Sequence, residues 1–169
     1  MILNGIPKSG NHALKKACAL LGVDLRVNHI PCAEKVSGQY LMIIRHPKNM
    51  ACSMLQENSG QVTPVGLRYG LPYCYPDGLK KISDDYLDWL TDADTTVVRY
   101  EDLTQSDQAM RDLAVLLGVP YVEGAWEKLP GETATWSRHP SDWSRIWSDQ
   151  TQAWWEANHG PEMEVVYGY

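Results

Sequence analysis

Met1-Ile2-Leu3-Asn4-Gly5-Ile6-Pro7-Lys8-Ser9-Gly10-Asn11-His12 opens with a short apolar run, meets a proline, and passes into a polar turn bearing glycine. Apolar residues then recur at helical spacing, at Leu14, Ala17, Cys18, Leu20 and Leu21, and Gly22 stands where a helix usually ends. The stretch reads as strand, turn, helix. A turn of this kind presents unpaired backbone N–H groups at a helix N-terminus, which is an anion site. It is not the nucleotide loop of kinases and ATPases: there Lys and Ser/Thr follow the second glycine, whereas Lys8 and Ser9 precede Gly10. A tight turn that merely needs glycine is the alternative.

The same alternation continues outward. Residues 25–28 form a second short strand candidate, and Tyr40-Leu41-Met42-Ile43-Ile44 is a continuous apolar run of the sort covered on both faces. Pro47 suits the first position of a helix reaching about Glu57. From Asn58 to Asp77 the chain is rich in Gly, Pro and Tyr without periodicity, which predicts a long loop. A helix is expected from about Gly78 to Leu90, a strand at Thr95-Thr96-Val97-Val98, and a helix from Ser106 to Leu117 stopped by Gly118. Residues 119–143 read as irregular, and a Trp-rich helix is expected over about 144–158. Strands alternating with helices predict an α/β layer fold with a mainly parallel sheet, in one domain over residues 1–169.

Composition limits the partners. With 15 Lys and Arg against 21 Asp and Glu, the net charge of −6 argues against a nucleic-acid surface, so any anion site is local. Cys18, Cys32, Cys52 and Cys74 show neither a CxxC pair nor a metal-finger spacing, and reduced, mostly buried thiols are expected. No run approaches the roughly 18 to 20 apolar residues of a membrane helix, and no basic segment leads into an apolar one at the start. The expectation is a cytoplasmic protein with no membrane association.

Pro7-Lys8-Ser9-Gly10 after the first strand resembles the first signature of the sulfotransferases that use 3′-phosphoadenosine 5′-phosphosulfate (PAPS), Pro-Lys-Ser-Gly-Thr-Thr-Trp. Asn11, His12 and Ala13 stand at its last three positions. Four further stretches resemble the family in its order. Arg45 ends the third strand, with Ser53 eight residues later; His29-Ile30-Pro31 follows the second strand; Arg99-Tyr100-Glu101-Asp102-Leu103 follows the fourth; and Ser137-Arg138…Asp142-Trp143-Ser144-Arg145 lies near the end. The resemblance covers roughly residues 2 to 155. It implies a three-layer P-loop-like fold, a central sheet flanked by helices, and transfer of a sulfuryl group from PAPS to a hydroxyl or amine, without a metal, releasing adenosine 3′,5′-bisphosphate (PAP).

The resemblance also implies roles. Pro7, Lys8, Ser9, Gly10, Asn11 and His12 would hold the 5′-phosphosulfate, with Lys8 neutralising the bridging oxygen as the bond to sulfur breaks. Arg45 and Ser53 would grip the 3′-phosphate, aided by Arg138 or, alternatively, Arg145, with Asp142 and Trp143 in the closing loop. Tyr100 would lie near the adenine. Glu101 and Asp102 read as helix-entry or loop-fixing groups rather than catalysts. Ala13 cannot stack on adenine as the family's Trp does. His29 would be the general base, catalytic together with Lys8 and Ser53. Histidine suits that task, since an ordinary imidazole titrates near 6.5; His12, inside the anion loop, is its competitor. The rival readings are a small-molecule kinase of the P-loop type and a nucleotide-binding module without catalysis. The acceptor is not readable from these residues.

Overall fold

A computed structural model of the chain describes residues 1–6, 8–30, 32–57, 61–70, 84, 87–130, 142–158 and 160–169. Four strands among them, β1 (Ile2–Asn4), β2 (Val27–Asn28), β3 (Tyr40–Ile44) and β4 (Thr95–Arg99), form an all-parallel sheet in the order β2-β1-β3-β4. The apolar run at 40–44 is buried residue by residue, because its alternate side chains enter two separate cores. Tyr40, Met42 and Ile44 pack with Met50, Met54, Leu55, Trp89 and Trp155. Leu41 and Ile43 point the other way, onto Leu14, Ala17, Leu103, Met110 and Leu113. Each such side chain contributes about 1.5–3 kcal/mol on burial, so this strand anchors both faces of the sheet.

The helices are α1 (Asn11–Leu20), α2 (Pro47–Glu57), α3 (Pro64–Gly70), α4 (Tyr100–Gln105), α5 (Asp107–Leu117), α6 (Ala125–Lys128), α7 (Asp149–Ala157) and α8 (Gly160–Val166). α1, α4 and α5 supply one covering layer; α2 and, through Trp155 and Met163, α7 and α8 supply the other. Gly22 and Gly118 end their helices in left-handed geometry, as expected of them.

Several boundaries differ from the sequence expectation. The stretch expected as a loop over 58–77 contains α3: Thr63 Oγ1 accepts the Gly66 N–H at 3.1 Å, Pro64 fills the first helical position, and Leu67 is buried. With Leu67 buried and Val65 exposed, the seven-residue helix leaves almost no periodic signal. Of the helix expected over 78–90, residues 84 and 87–91 are described and helical. After β4 the chain turns helical at once in α4, and Ser106, in extended geometry, separates α4 from α5 and caps the latter by accepting the Ala109 N–H. The stretch expected to be irregular holds α6 after a left-handed Gly124. The Trp-rich helix is divided, because Ser148 caps a fresh start at Asp149. A short 3-10 turn at Trp143–Arg145 precedes it, and α8 follows it. No helix among the described residues is long and apolar enough to cross a membrane.

Candidate active site

The parallel sheet brings the sequence-predicted residues to one edge. Its strands end at Asn4, Asn28, Ile44 and Arg99, so Gly5, His29, Arg45 and Tyr100 are each the first residue past a strand end. In open α/β sheets that carboxyl edge is where ligands bind.

Ser9 in this loop, and Asn11 just after it, turn their side chains inward. Ser9 Oγ donates to the Ile6 carbonyl at 2.7 Å, and Asn11 Nδ2 donates to the Ile6 and Gly5 carbonyls at 2.9 and 3.3 Å. Both residues are buried. The backbone is bent by two left-handed residues, Lys8 (φ 68°) and Gly10 (φ 114°), on either side of Ser9. Alternating handedness of this kind turns successive N–H groups to one side. Only glycine fits at position 10, because a Cβ there would meet Tyr100 Cδ2 at 2.4 Å. For Lys8 the left-handed geometry costs about 1–2 kcal/mol, a strain placed at the centre of the candidate anion site. α1 begins here at Gly10, a residue with no side chain to cap the first-turn N–H groups, a start suited to an anion. His12 is exposed beside the loop.

Arg45 is 7 % exposed, and its guanidinium lies 4.6 Å from the centroid of the Tyr100 ring. Nη1 donates to the Lys8 carbonyl at 3.3 Å, and Nε has no hydrogen-bond partner among the described residues. Burial lowers its pKa below the usual value, with Tyr100 and Glu101 opposing; an arginine nonetheless stays charged. A buried guanidinium with an unused donor suits an anionic ligand, since its desolvation is offset only by charge and hydrogen bonds. Ser53 lies half-buried two turns into α2, and burial pushes the thiol of its neighbour Cys52 up to about 12, so that thiol is inert. Cys18 and Cys32 are also free thiols.

His29 is exposed, yet its ring is held: Nδ1 lies 2.7 Å from the Gly5 carbonyl oxygen. Tyr100 is buried against Gly10 and Arg45. Ala13 is buried in the core beneath α1, so no ring stands at that position.

The C-terminal segment packs over α2. The Trp143 N–H donates to Asn49 Oδ1 at 3.1 Å, and its ring faces Lys48 Nζ at 4.2 Å and the His46 ring at 5.6 Å. Asp142 uses its carboxylate on its own turn, accepting from Ser144 N and Oγ and pairing with Arg145 Nε at 3.0 Å. The Ser144 bonds, more than the Arg145 charge, hold its pKa below the usual range. Pro7 and Arg138, also expected at the site, lie outside the described residues.

Four residues in this region were not singled out by sequence reasoning. Asn4 is fully buried and bonds both the N–H and the carbonyl of Ile30; a polar residue inside an apolar strand was its signal. His46 accepts the Lys48 N–H on Nδ1 at 3.2 Å, capping α2, and its place just before Pro47 was readable. Lys48, itself buried, pairs with Glu164 at 3.0 Å. Tyr169 donates to Glu101 Oε2 at 2.5 Å, while Glu101 Oε1 accepts the His46 N–H at 3.0 Å. Burial, then the Glu101 bond, raises the Tyr169 pKa. No local pattern announces these last contacts. Among the described residues, no group of three or more His, Cys, Asp or Glu could hold a metal ion.

The architecture matches that of a mouse sulfotransferase, SULT7A1, solved in complex with PAP, with a TM-score of 0.76 over 99% of this chain and 85% of that one. Sequence identity is 14%, so the likeness establishes the fold: a three-layer, P-loop-like α/β sandwich with a parallel central sheet. No protein-family model and no curated protein sequence matches the chain.

Proposed function

We propose that this chain is a PAPS-dependent sulfotransferase acting on a hydroxyl or amine. The observation that carries the reading is the bond from Arg45 Nη1 to the Lys8 carbonyl. It ties a buried guanidinium to an uncapped helix start, giving two anion-binding elements side by side on one sheet edge, as a nucleotide with phosphates at both ends requires. The fold shared with a PAP-bound sulfotransferase supports the same reading.

The donor supplies a sulfuryl group already activated as an anhydride with phosphate. The chain's part is to hold and to move a proton. The amides at the start of α1, with Lys8, bind the phosphosulfate end and neutralise charge growing on its bridging oxygen. Arg45 and Ser53 hold the 3′-phosphate, and Tyr100 borders the base. Arg138, Asp142 and Trp143 belong to the segment that closes the site. His29 takes the acceptor's proton, and Gly5, whose carbonyl it touches, keeps it beside the anion loop. Positioning and fixed dipoles carry most of the rate.

Calorimetry with PAP and with adenosine 5′-monophosphate tests the binding half: PAP should bind far more tightly. Transfer from labelled PAPS to a panel of phenols, alcohols and amines, unaffected by EDTA, tests the chemistry. Lys8→Ala should lower kcat far more than it weakens PAP. Tight PAP binding with no turnover across the panel would favour a binding module, and EDTA-sensitive transfer from ATP would favour a kinase.

A further inference from the structure

His29 sits on the surface at the end of a two-residue strand, a place where an imidazole would ordinarily swing between rotamers. Its ring is nevertheless bonded to a backbone carbonyl, and the residue after it is fixed on both sides. Asn4 Oδ1 accepts the Ile30 N–H and Asn4 Nδ2 donates to the Ile30 carbonyl, both at 3.2 Å. Only one orientation of the Asn4 amide satisfies this pair, since an N–H can only donate and a carbonyl only accept. The ladder between β1 and β2 ends with Asn4 opposite Asn28; the Asn4 side chain adds a further rung two residues on. The Trp89 indole donates to the same Ile30 carbonyl at 3.1 Å.

Two consecutive residues of β1's end therefore hold two consecutive residues of β2's end: Asn4 grips the Ile30 backbone and the Gly5 carbonyl grips the His29 ring. Because that carbonyl can only accept, Nδ1 must carry a hydrogen, and in the neutral ring the lone pair is left on Nε2. The same Gly5 oxygen also accepts from Asn11 Nδ2 at 3.3 Å, so a single atom links His29 to the anion loop. No larger residue fits at position 5, since a Cβ there would meet Asn11 Oδ1 at 2.3 Å.

We propose that Asn4 is a positioning residue for sulfuryl transfer: by clamping Ile30 it sets His29 on the Gly5 carbonyl in the Nδ1–H tautomer, so that Nε2 is the nitrogen that accepts the proton. The role rests on the sulfotransferase reading. As the acceptor's oxygen or nitrogen bonds to sulfur, its proton passes to Nε2, and the sulfur–oxygen bond to the nucleotide breaks with its electron pair remaining on PAP. The ring, briefly with hydrogen on both nitrogens, stays bonded to Gly5 and returns the Nε2 proton to solvent. The expected effect is set by analogy with the outer-shell partners of metal-bound histidines, whose removal costs about 10- to 100-fold.

The test is nitrogen-15 NMR of histidine-labelled protein above the titration range, with the His29 signal assigned through His29→Gln. Wild-type His29 should show the Nδ1–H pattern, and Asn4→Ala should lose it toward the mixture of a free imidazole. Asn4→Asp keeps the acceptor for the Ile30 N–H and the packing volume, and should fall between the two if Asn4→Ala does not fold. With any acceptor that wild type turns over, both variants should lower kcat about 10- to 100-fold with the KM for PAPS unchanged. An Nε2–H pattern in wild type, or Nδ1–H persisting in Asn4→Asp with full kcat, overturns the proposal. PAP failing to bind wild type overturns the sulfotransferase reading and the catalytic meaning of the clamp with it, while the tautomer result still reports separately on the clamp itself.

Discussion

Two strand-to-helix junctions, β1 to α1 and β3 to α2, lie next to each other in the sheet and solve the same local problem in opposite ways. Each helix begins with N–H groups that lack partners inside the helix. At β1–α1 the chain spends six residues, Gly5 to Gly10, on a turn in which Ser9 faces inward, and starts α1 at Gly10, which has no side chain to cap it. At β3–α2 only Arg45 and His46 intervene. There Pro47 has no N–H to satisfy, His46 Nδ1 accepts from Lys48, and Glu101 accepts the His46 N–H. The first junction, under the proposed function, would offer its backbone donors to a ligand. The second satisfies its backbone internally and contributes one side chain, Arg45. Under the proposed function, the difference would assign the charged, reacting end of the nucleotide to backbone amides and the distal phosphate to a guanidinium.

The comparison breaks most sharply at Gly10. Gly10→Ala combines a backbone angle that costs about 1–3 kcal/mol for any other residue with a clash against the Tyr100 ring. Urea unfolding should show at least that loss, and PAP binding should vanish at temperatures where the variant is still folded. The second junction should be more forgiving: removing the His46 cap by His46→Ala costs about 1 kcal/mol and leaves PAP binding measurable. Comparable loss in the two variants would mean the junctions do not differ as described.

Arg45→Lys sharpens the contrast next. Lysine keeps the charge and loses the fork that donates to the Lys8 carbonyl and, under the proposed function, would hold the 3′-phosphate. Losing one charge-assisted hydrogen bond costs about 1.5–3 kcal/mol, which is roughly a 10- to 100-fold loss of PAP affinity. If Arg45 reads the 3′-phosphate, affinity for adenosine 5′-monophosphate should be unchanged in calorimetry. Equal weakening of both nucleotides would instead assign Arg45 to shaping the loop through Lys8.

The residues legible in advance were those whose signal is local. A strand such as 40–44, buried on both faces, shows itself as an unbroken apolar run, and the turn at Lys8-Ser9-Gly10 shows itself by its glycine and its place between strand and helix. α3 leaves little periodic signal, with Leu67 buried and Val65 exposed, and the Trp-rich stretch reads as one longer helix because a serine cap at 148 looks like any surface serine. At the site, Gly5, His29, Arg45 and Tyr100 come together because parallel strands bring their ends to one edge, which alternation of elements predicts. The contacts of Asn4 with Ile30, Lys48 with Glu164 and Tyr169 with Glu101 join residues 26, 116 and 68 positions apart. Only folding makes such pairs neighbours.

The smallest effect is the titration of His46, and it probes the second junction alone. Burial lowers its pKa below 6.5; Glu164 and Glu101 push it up, while Lys48 and Arg45 push it down with burial. Its ring also contacts the Trp143 and Tyr169 rings, tilted to each. With the folded value depressed, the unfolded chain binds more protons between that value and 6.5. Stability from the neutral cap is therefore complete above 6.5 and is lost as pH falls through the folded value, where a proton on Nδ1 removes the acceptor for the Lys48 N–H. His46→Asn keeps a capping side chain and does not titrate. Its urea midpoint should match wild type at pH 7.5 and exceed it at pH 5. Parallel pH profiles for the two proteins would show that α2 does not depend on a neutral imidazole, and the contrast between an open junction and a self-capped one would lose its chemical basis.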